Sequence, residues 1–361
     1  MKKIIGVVVV ILAITIGVFV NNKTSENKNE NRPIKIGAVV SLTGYAAVDG
    51  MHIKNGMDLA VSDLKNKGVN VEIVYEDDAT DPKKSISSLN KILLADKPDA
   101  VVGPIWSFLI DAALPVINNN KIVTYVPSAT SEVVNGDSQH IFYGTYKNSE
   151  QVEPLIKFFK ENNIKNVAVV LSNDAWGQSH VPGFEKAVKA VGGNIVLQEM
   201  ISFGSDKEVM PLITNKIVEL NPDAVLWTGY DEAGTLLVRK LQEQNYHRPI
   251  MATASVMKGL IKRGAVIPQD NDQIYSVDIS VKDDFRNKYF TAYNQEAGVY
   301  SDTAYDGVMM LVEGIQEGKT GDDLAKYMRD DLKYKGYFGT YDFDANGDVI
   351  GGNWKVERLI K

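Results

Sequence analysis

The sequence predicts an α/β fold of two similar lobes, each a doubly wound parallel sheet. Three observations predict it. From Pro33 onward, short β-branched runs alternate with amphipathic stretches at helical spacing, the pattern of βαβ units. The tetrad Pro98-Asp99-Ala100-Val101 returns as Pro222-Asp223-Ala224-Val225, each copy following a helical stretch and preceding a glycine and an aromatic (Gly103 and Trp106; Gly229 and Tyr230). Finally, IKIGAVVS at 34–41 and KIVTYVPSAT at 121–130 have counterparts in NVAVVLSN at 166–173 and HRPIMATASV at 247–256.

In order along the chain, strand candidates fall at 34–40, 71–76, 100–102 and 122–126, then at 167–171, 194–200, 224–227 and 250–252. Between the first two, Met51, Met57, Ala60, Val61 and Leu64 share one face of a helix that Gly68 ends. Pro82 opens the next helix, in which Ile86, Leu89, Ile92 and Leu93 repeat at helical spacing. Both lobes close their fourth strand in small hydroxyl residues, beyond the carboxyl ends where open parallel sheets bind ligands.

Composition narrows the chemistry. With no cysteine, the chain has no disulfides, thiolate metal sites or cysteine nucleophiles. With 39 Lys+Arg against 46 Asp+Glu and no long basic run, it lacks the clustered cations that nucleic acid requires. Lys2 and Lys3 precede residues 4–20, an uncharged apolar run, and a polar linker occupies 21–32. The run is long for a secretory core and short for a spanning helix, so residues 1–20 read as a signal peptide or an N-terminal membrane anchor. In either case the lysines stay inside and the body lies outside the cytoplasm.

Other motifs fail. DFDANGD at 342–348 copies the start of a calcium loop, but Asn353 stands where a glutamate is needed, so it reads as a hairpin turn. GIQEGKT at 314–320 has the wrong spacing for a phosphate loop and reads as a helix end. The four histidines belong to no metal or triad spacing, no Gly-x-Ser-x-Gly elbow occurs, and nothing calls for a cofactor. The expectation is a binding protein and not an enzyme.

The segments IGAVVSLTGYAAVDG, NGMDLA, EDDATDPKKS, DAVVGPIWS, VPSATSEVV, SNDAWGQS and WTGYDEAG, in this order and spacing, resemble the type I periplasmic solute-binding proteins of the leucine/isoleucine/valine class. The resemblance covers residues 33–361. It implies two lobes joined by a three-segment hinge, lobe 1 at 33–146 plus 277–345 and lobe 2 at 147–276 plus 346–361. It also implies a monomer that binds a small amino acid, branched-chain or similar, and delivers it to an ABC permease.

By the same resemblance, Ser107 and the Ser128-Ala129-Thr130 loop hold the solute's carboxylate, while Tyr45, Trp106, Trp176 and Tyr230 wall its side chain. Ser107 is expected where a helix begins, so that its hydroxyl and free N–H groups face one spot. The family's acid for the ligand ammonium matches Ala254 here, a departure. Asp231, Asp49 and Asp174 are the substitutes, Asp231 standing beside a pocket aromatic. An amide, aromatic acid or other small carboxylate is the alternative solute.

Overall fold

The computed structural model describes residues 32–131, 138–202, 204–253, 257, 260–261, 264–269, 272–278, 282–352 and 354–359. The hydrophobic segment 4–20 lies outside them. β1 (Ile34–Val40) is buried over its last five residues, as a strand covered on both faces must be. Around it form α1 (Ala47–Asn66), β2 (Val71–Asp77), α2 (Pro82–Lys91), β3 (Ala100–Val102), α3 (Ser107–Asn120), β4 (Thr124–Val126) and β5 (Ile141–Tyr143). The sheet runs β2-β1-β3-β4-β5, all parallel.

Local chemistry fixes the helices. The Asp81 carboxylate accepts the Lys84 N–H at 2.9 Å and so caps α2, with Pro82 in the first turn, where its missing N–H costs nothing. In α1 the buried stripe is Ile53, Met57, Ala60 and Leu64; Met51 is exposed, one residue off the face that the sequence suggested. The fourth strand starts at Thr124, two residues later than its apolar run, because the Thr124 hydroxyl turns back to the Ile122 carbonyl at 3.1 Å.

The second sheet repeats the first. It contains β6 (Asn166–Ser172), β7 (Asn194–Ile201), β8 (Ala224–Thr228), β9 (Ile250–Thr253) and β10 (Ile274–Asp278), with helices α4 (Val152–Glu161), α5 (Ala175–Ser179), α6 (Val181–Ala190), α7 (Asp206–Leu220) and α8 (Asp231–Glu243). Reading β7-β6-β8-β9-β10, its order is that of the first sheet, strand for strand. The repeated Pro-Asp-Ala-Val tetrads enter β3 and β8, equivalent positions in the two sheets.

After β10 the chain returns to the first sheet with α9 (Asp283–Tyr293), α10 (Ser301–Gln316), α11 (Gly321–Lys326) and the hairpin β11 (Tyr334–Lys335) and β12 (Thr340–Tyr341). It then goes back to add β13 (Lys355–Arg358) antiparallel to β10. α10 is buried nearly all round and packs along α1. Two crossings between the sheets are tied by a buried ion pair, Lys147 to Asp348 at 3.0 Å, with the ammonium 3.4 Å from the centre of the Tyr143 ring. Removing one partner of such a pair typically costs about 3–5 kcal/mol. Nearby, the Asp344 carboxylate accepts the N–H groups of Asn346 and Asp348, so the DFDANGD segment is a tight turn.

α5 and α6 meet the first crossing through His180. Its Nδ1 donates to the Trp176 carbonyl at 2.8 Å, and its ring lies edge-on to the Trp176 ring, centroids 5.5 Å apart. Burial drives its pKa down from 6.5 to about 4. The unfolded chain therefore takes up a proton between pH 6.5 and 4 that the folded protein refuses, so this residue's contribution to stability is intact above pH 6.5 and is lost as pH falls through that window. Denaturation of the parent and of His180→Gln at pH 7 and pH 4 checks this. The parent should lose about 3 kcal/mol more than the variant over that interval. Equal losses would mean that His180 is not held neutral.

Candidate functional site

In this strand order the direction in which successive strands are added reverses between β1 and β3, and likewise between β6 and β8, leaving a crevice at the carboxyl ends where the loops diverge. The loops after those strands carry Tyr45, Trp106 and Ser107 in one sheet and Trp176 and Tyr230 in the other.

The β1 loop is held from beneath by the EDDATDP segment. Asp77 Oδ1 accepts the N–H groups of Leu42, Thr43 and Ala79, and Oδ2 accepts the Thr43 hydroxyl at 2.6 Å. Burial works to raise the Asp77 carboxyl, but these hydrogen bonds outweigh it and the net shift is downward. Asp78, fully buried, accepts from the Ser41 hydroxyl at 2.6 Å and the Thr80 N–H at 2.9 Å. Asp77 is spent on the frame, whereas Asp78 serves it through Oδ1 alone and its buried Oδ2 has no partner.

Trp106, in extended conformation, is the cap position of α3, and Ser107 is the first helical residue, buried. Ser107 is thus one place further in than an N-cap, and its side chain caps nothing in the helix. The Ser128 hydroxyl donates to the Ile105 carbonyl, tying the β4 loop to the β3 loop. Ala129 is buried between them and Thr130. The Thr130 carbonyl accepts the Asn148 N–H at 3.0 Å, and its hydroxyl oxygen accepts the Trp176 indole N–H at 3.1 Å. One residue on, the Ser131 hydroxyl donates to the Ala175 carbonyl at 3.2 Å. Loops of the two sheets therefore touch directly.

On the second sheet, Asp174 caps α5. Its Oδ1 accepts the Gly177 N–H at 2.8 Å and the Ser172 hydroxyl at 3.0 Å, while Oδ2 accepts the Tyr230 hydroxyl at 2.5 Å. Burial and the adjacent Asp174 charge hold the Tyr230 phenol far above its usual range, so it stays a donor. The Tyr230 ring meets Trp176 with centroids 5.5 Å apart and Tyr45 edge-on at 5.4 Å. Beside Tyr45 and Tyr230 lies a small pocket, with Asp206 and Glu232 on its wall.

Two groupings result. Tyr45, Trp176, Tyr230 and Thr130 form one, built from both sheets. Trp106, Ser107 and Ser128 form the other, wholly from the first sheet, and Trp106 packs edge-on against Tyr300 at 6.4 Å, a neighbour the sequence reading did not name. Of the three substitute acids, Asp174 has both oxygens engaged by its own loop and Tyr230, and Asp49 sits in the first turn of α1. Asp231 opens α8, but its side chain lies outside the described residues, as does Ala254. Among the described residues no acid or histidine group is arranged to hold a metal.

The sequence profile of the family described as periplasmic binding protein matches residues 33–357. A Leu/Ile/Val-binding protein of Rhizobium johnstonii is 26% identical over 354 residues, taking in 91% of this chain and 93% of that protein. A leucine-, isoleucine-, valine-, threonine- and alanine-binding protein of Pseudomonas aeruginosa is 25% identical, over 91% of this chain and 90% of that protein. Among solved structures, the branched-chain amino acid transporter substrate-binding protein LivJ of Streptococcus pneumoniae, in complex with isoleucine, superposes with a TM-score of 0.78 at 21% identity. The match covers 91% of this chain and 100% of that one. A solute-binding protein of Rhodopseudomonas palustris in complex with 3,4-dihydroxybenzoic acid gives a TM-score of 0.77 at 20% identity, over 90% and 93%. With two sheets of one strand order, loops meeting across a cleft and a family match from residue 33 to 357, the chain belongs to the periplasmic binding protein family.

Proposed function

We propose that the chain is an extracytoplasmic receptor that takes a small amino acid, branched-chain or similar, between two closing lobes and delivers it to an ABC permease. The observation that carries this reading is the contact of Trp176 with Thr130. A hydroxyl of one sheet and an aromatic of the other are brought together at the carboxyl ends of both. The names of the relatives supply the solute class. In this reading Ser107, Thr130 and the backbone of Ser128 and Ala129 receive the solute carboxylate, and Tyr45, Trp106, Trp176 and Tyr230 enclose its side chain. The indole N–H on the Thr130 oxygen leaves the Thr130 proton for the carboxylate and polarises it, so lobe contact and ligand contact strengthen each other. Closure is then driven by the solute's higher affinity for the joined lobes.

The lobe limits, 33–146 with 277–345 and 147–276 with 346–361, are part of this proposal. Close to two of these limits, β10 pairs within the second sheet through Asp278 and Asp348 bridges to Tyr143 at the first. So are a monomeric receptor without cofactor or catalysis and the role of Asp231 at the pocket rim. An aromatic acid is the second reading. It is favoured by the ring-lined site and by the R. palustris proteins solved with 3,4-dihydroxybenzoic acid, benzoate and 4-hydroxybenzoate.

Titration calorimetry with L-leucine checks the carboxylate site. Thr130→Val and Ser107→Ala should each lose about 1.5–3 kcal/mol of binding free energy. Both staying within about 0.5 kcal/mol of the parent would remove these hydroxyls from the site.

Residues 4–20 are the proposed export segment; no described helix is long and apolar enough to cross a membrane. Cell fractionation should find the chain outside the cytoplasm. A new N-terminus near Asn21 would identify a cleaved signal and an intact one in the membrane fraction an anchor, whereas full-length protein in the cytoplasm would contradict export.

A further inference from the structure

Two acids lie one turn apart near the start of α10, both buried, and only one is saturated. Asp306 accepts the N–H groups of Tyr337 at 3.0 Å and Phe338 at 2.9 Å and the Tyr341 hydroxyl at 3.2 Å, so it anchors the β11–β12 hairpin. Asp302, 2% exposed, accepts the N–H of the next residue, Thr303, at 2.9 Å, and its Oδ2 has no partner. Lys282 and Arg286 act on it through space without touching it. Burial pushes its carboxyl up to about 6, the direction expected of a buried acid that lacks a counter-ion.

The turn that carries Asp302 is fixed against the pocket loops of the first sheet. The Thr303 hydroxyl donates to the Pro127 carbonyl at 2.9 Å, just before Ser128, and the Tyr125 hydroxyl donates to the Thr303 carbonyl at 3.0 Å. Gly56 has no Cβ because the Ser301 carbonyl oxygen would lie 2.0 Å from it, so α1 and this turn approach backbone to backbone. Two residues before Asp302, Tyr300 packs on Trp106, whose own indole N–H is buried without a partner. An open acceptor thus stands one residue from the turn that holds the Ser128 loop, and an open donor stands one residue before Ser107. Left so, both are costly, and one ligand that brings a cation and an anion together would satisfy them.

We propose that Asp302 supplies the counter-charge for the ammonium of the bound solute, with the Trp106 indole N–H as a further donor to its carboxylate. This rests on the amino-acid reading above and deepens it, filling from lobe 1 the role that Ala254 vacates in lobe 2. Its consequence is that lobe 1 alone grips both charged ends of the zwitterion, and lobe 2 contributes the aromatic wall on closing.

The test titrates full-length protein, freed of bound solute by unfolding and refolding, with L-leucine and with 4-methylpentanoate, the same side chain and carboxylate without the ammonium. Asp302→Asn and Asp302→Ala should weaken L-leucine by about 30-fold or more. Their 4-methylpentanoate affinity should be equal to or above the parent's, and the ligand-free melting temperature of Asp302→Asn equal or higher, since a buried charge has gone. L-leucine binding within about threefold of the parent in both variants would overturn the assignment while the amino-acid reading stands. Weakening of both ligands together with a lowered melting temperature would make Asp302 structural, and overturn it equally. If the parent takes benzoate and binds none of L-leucine, L-isoleucine, L-valine and L-alanine, the amino-acid reading fails and this inference falls with it.

Discussion

Strand direction is the constraint on which the rest of this structure depends. A parallel sheet sends every strand-to-helix loop to one edge, and the order β2-β1-β3-β4-β5 forces the loops after β1 and β3 to part there. The second sheet obeys the same rule with β6 and β8. Each sheet alone has a crevice open to water. Two such crevices joined by crossing segments make a cleft whose lining comes from loops and whose precision comes from buried strands, as in β1 and β8, where nearly every residue is buried.

What fills the cleft follows from the chemistry at its edges. The second-sheet face is aromatic; its Asp174 is already satisfied by the turn it caps and by Tyr230, while Asp206 and Glu232 lie on the wall of the pocket beside Tyr230. In the proposed site the first-sheet face is polar, with Ser107, Thr130, the Trp106 N–H and Asp302. The uneven division suits a ligand with a charged head and an apolar body. His180 adds a further layer by fixing the carbonyl of Trp176, so the indole that reaches Thr130 is positioned by a buried neutral imidazole.

Much of this was legible in the sequence, and the reasons differ by element. β1 could be read because IKIGAVV is long and β-branched, and α2 because Pro82 and Asp81 carry local start signals that do not depend on the rest of the fold. The duplication was legible because the tetrads mark the same structural step, the turn into β3 and β8. β5, β10 and β13 were not found: IFY at 141–143 is three residues long, and its identity as a strand comes from its neighbour β4 and from the chain that returns at Asp348. Met51 was misplaced because a helix face is defined by what packs on it, here α10, which enters from far along the chain. The aromatic residues and Thr130 could be anticipated from their positions after strands. Asp302 could not, since an acid at a helix start reads as solvated until α10 is seen wedged between α1 and the sheet.

The claim at the centre of this account is that the cleft is built for a molecule bearing both a carboxylate and an ammonium. Mass spectrometry of the small molecule released when freshly purified protein is denatured addresses it most directly. The account predicts an amino acid with a small apolar side chain, present in close to equimolar amount; a carboxylate without an amine, such as an aromatic acid, recovered in that amount would contradict it.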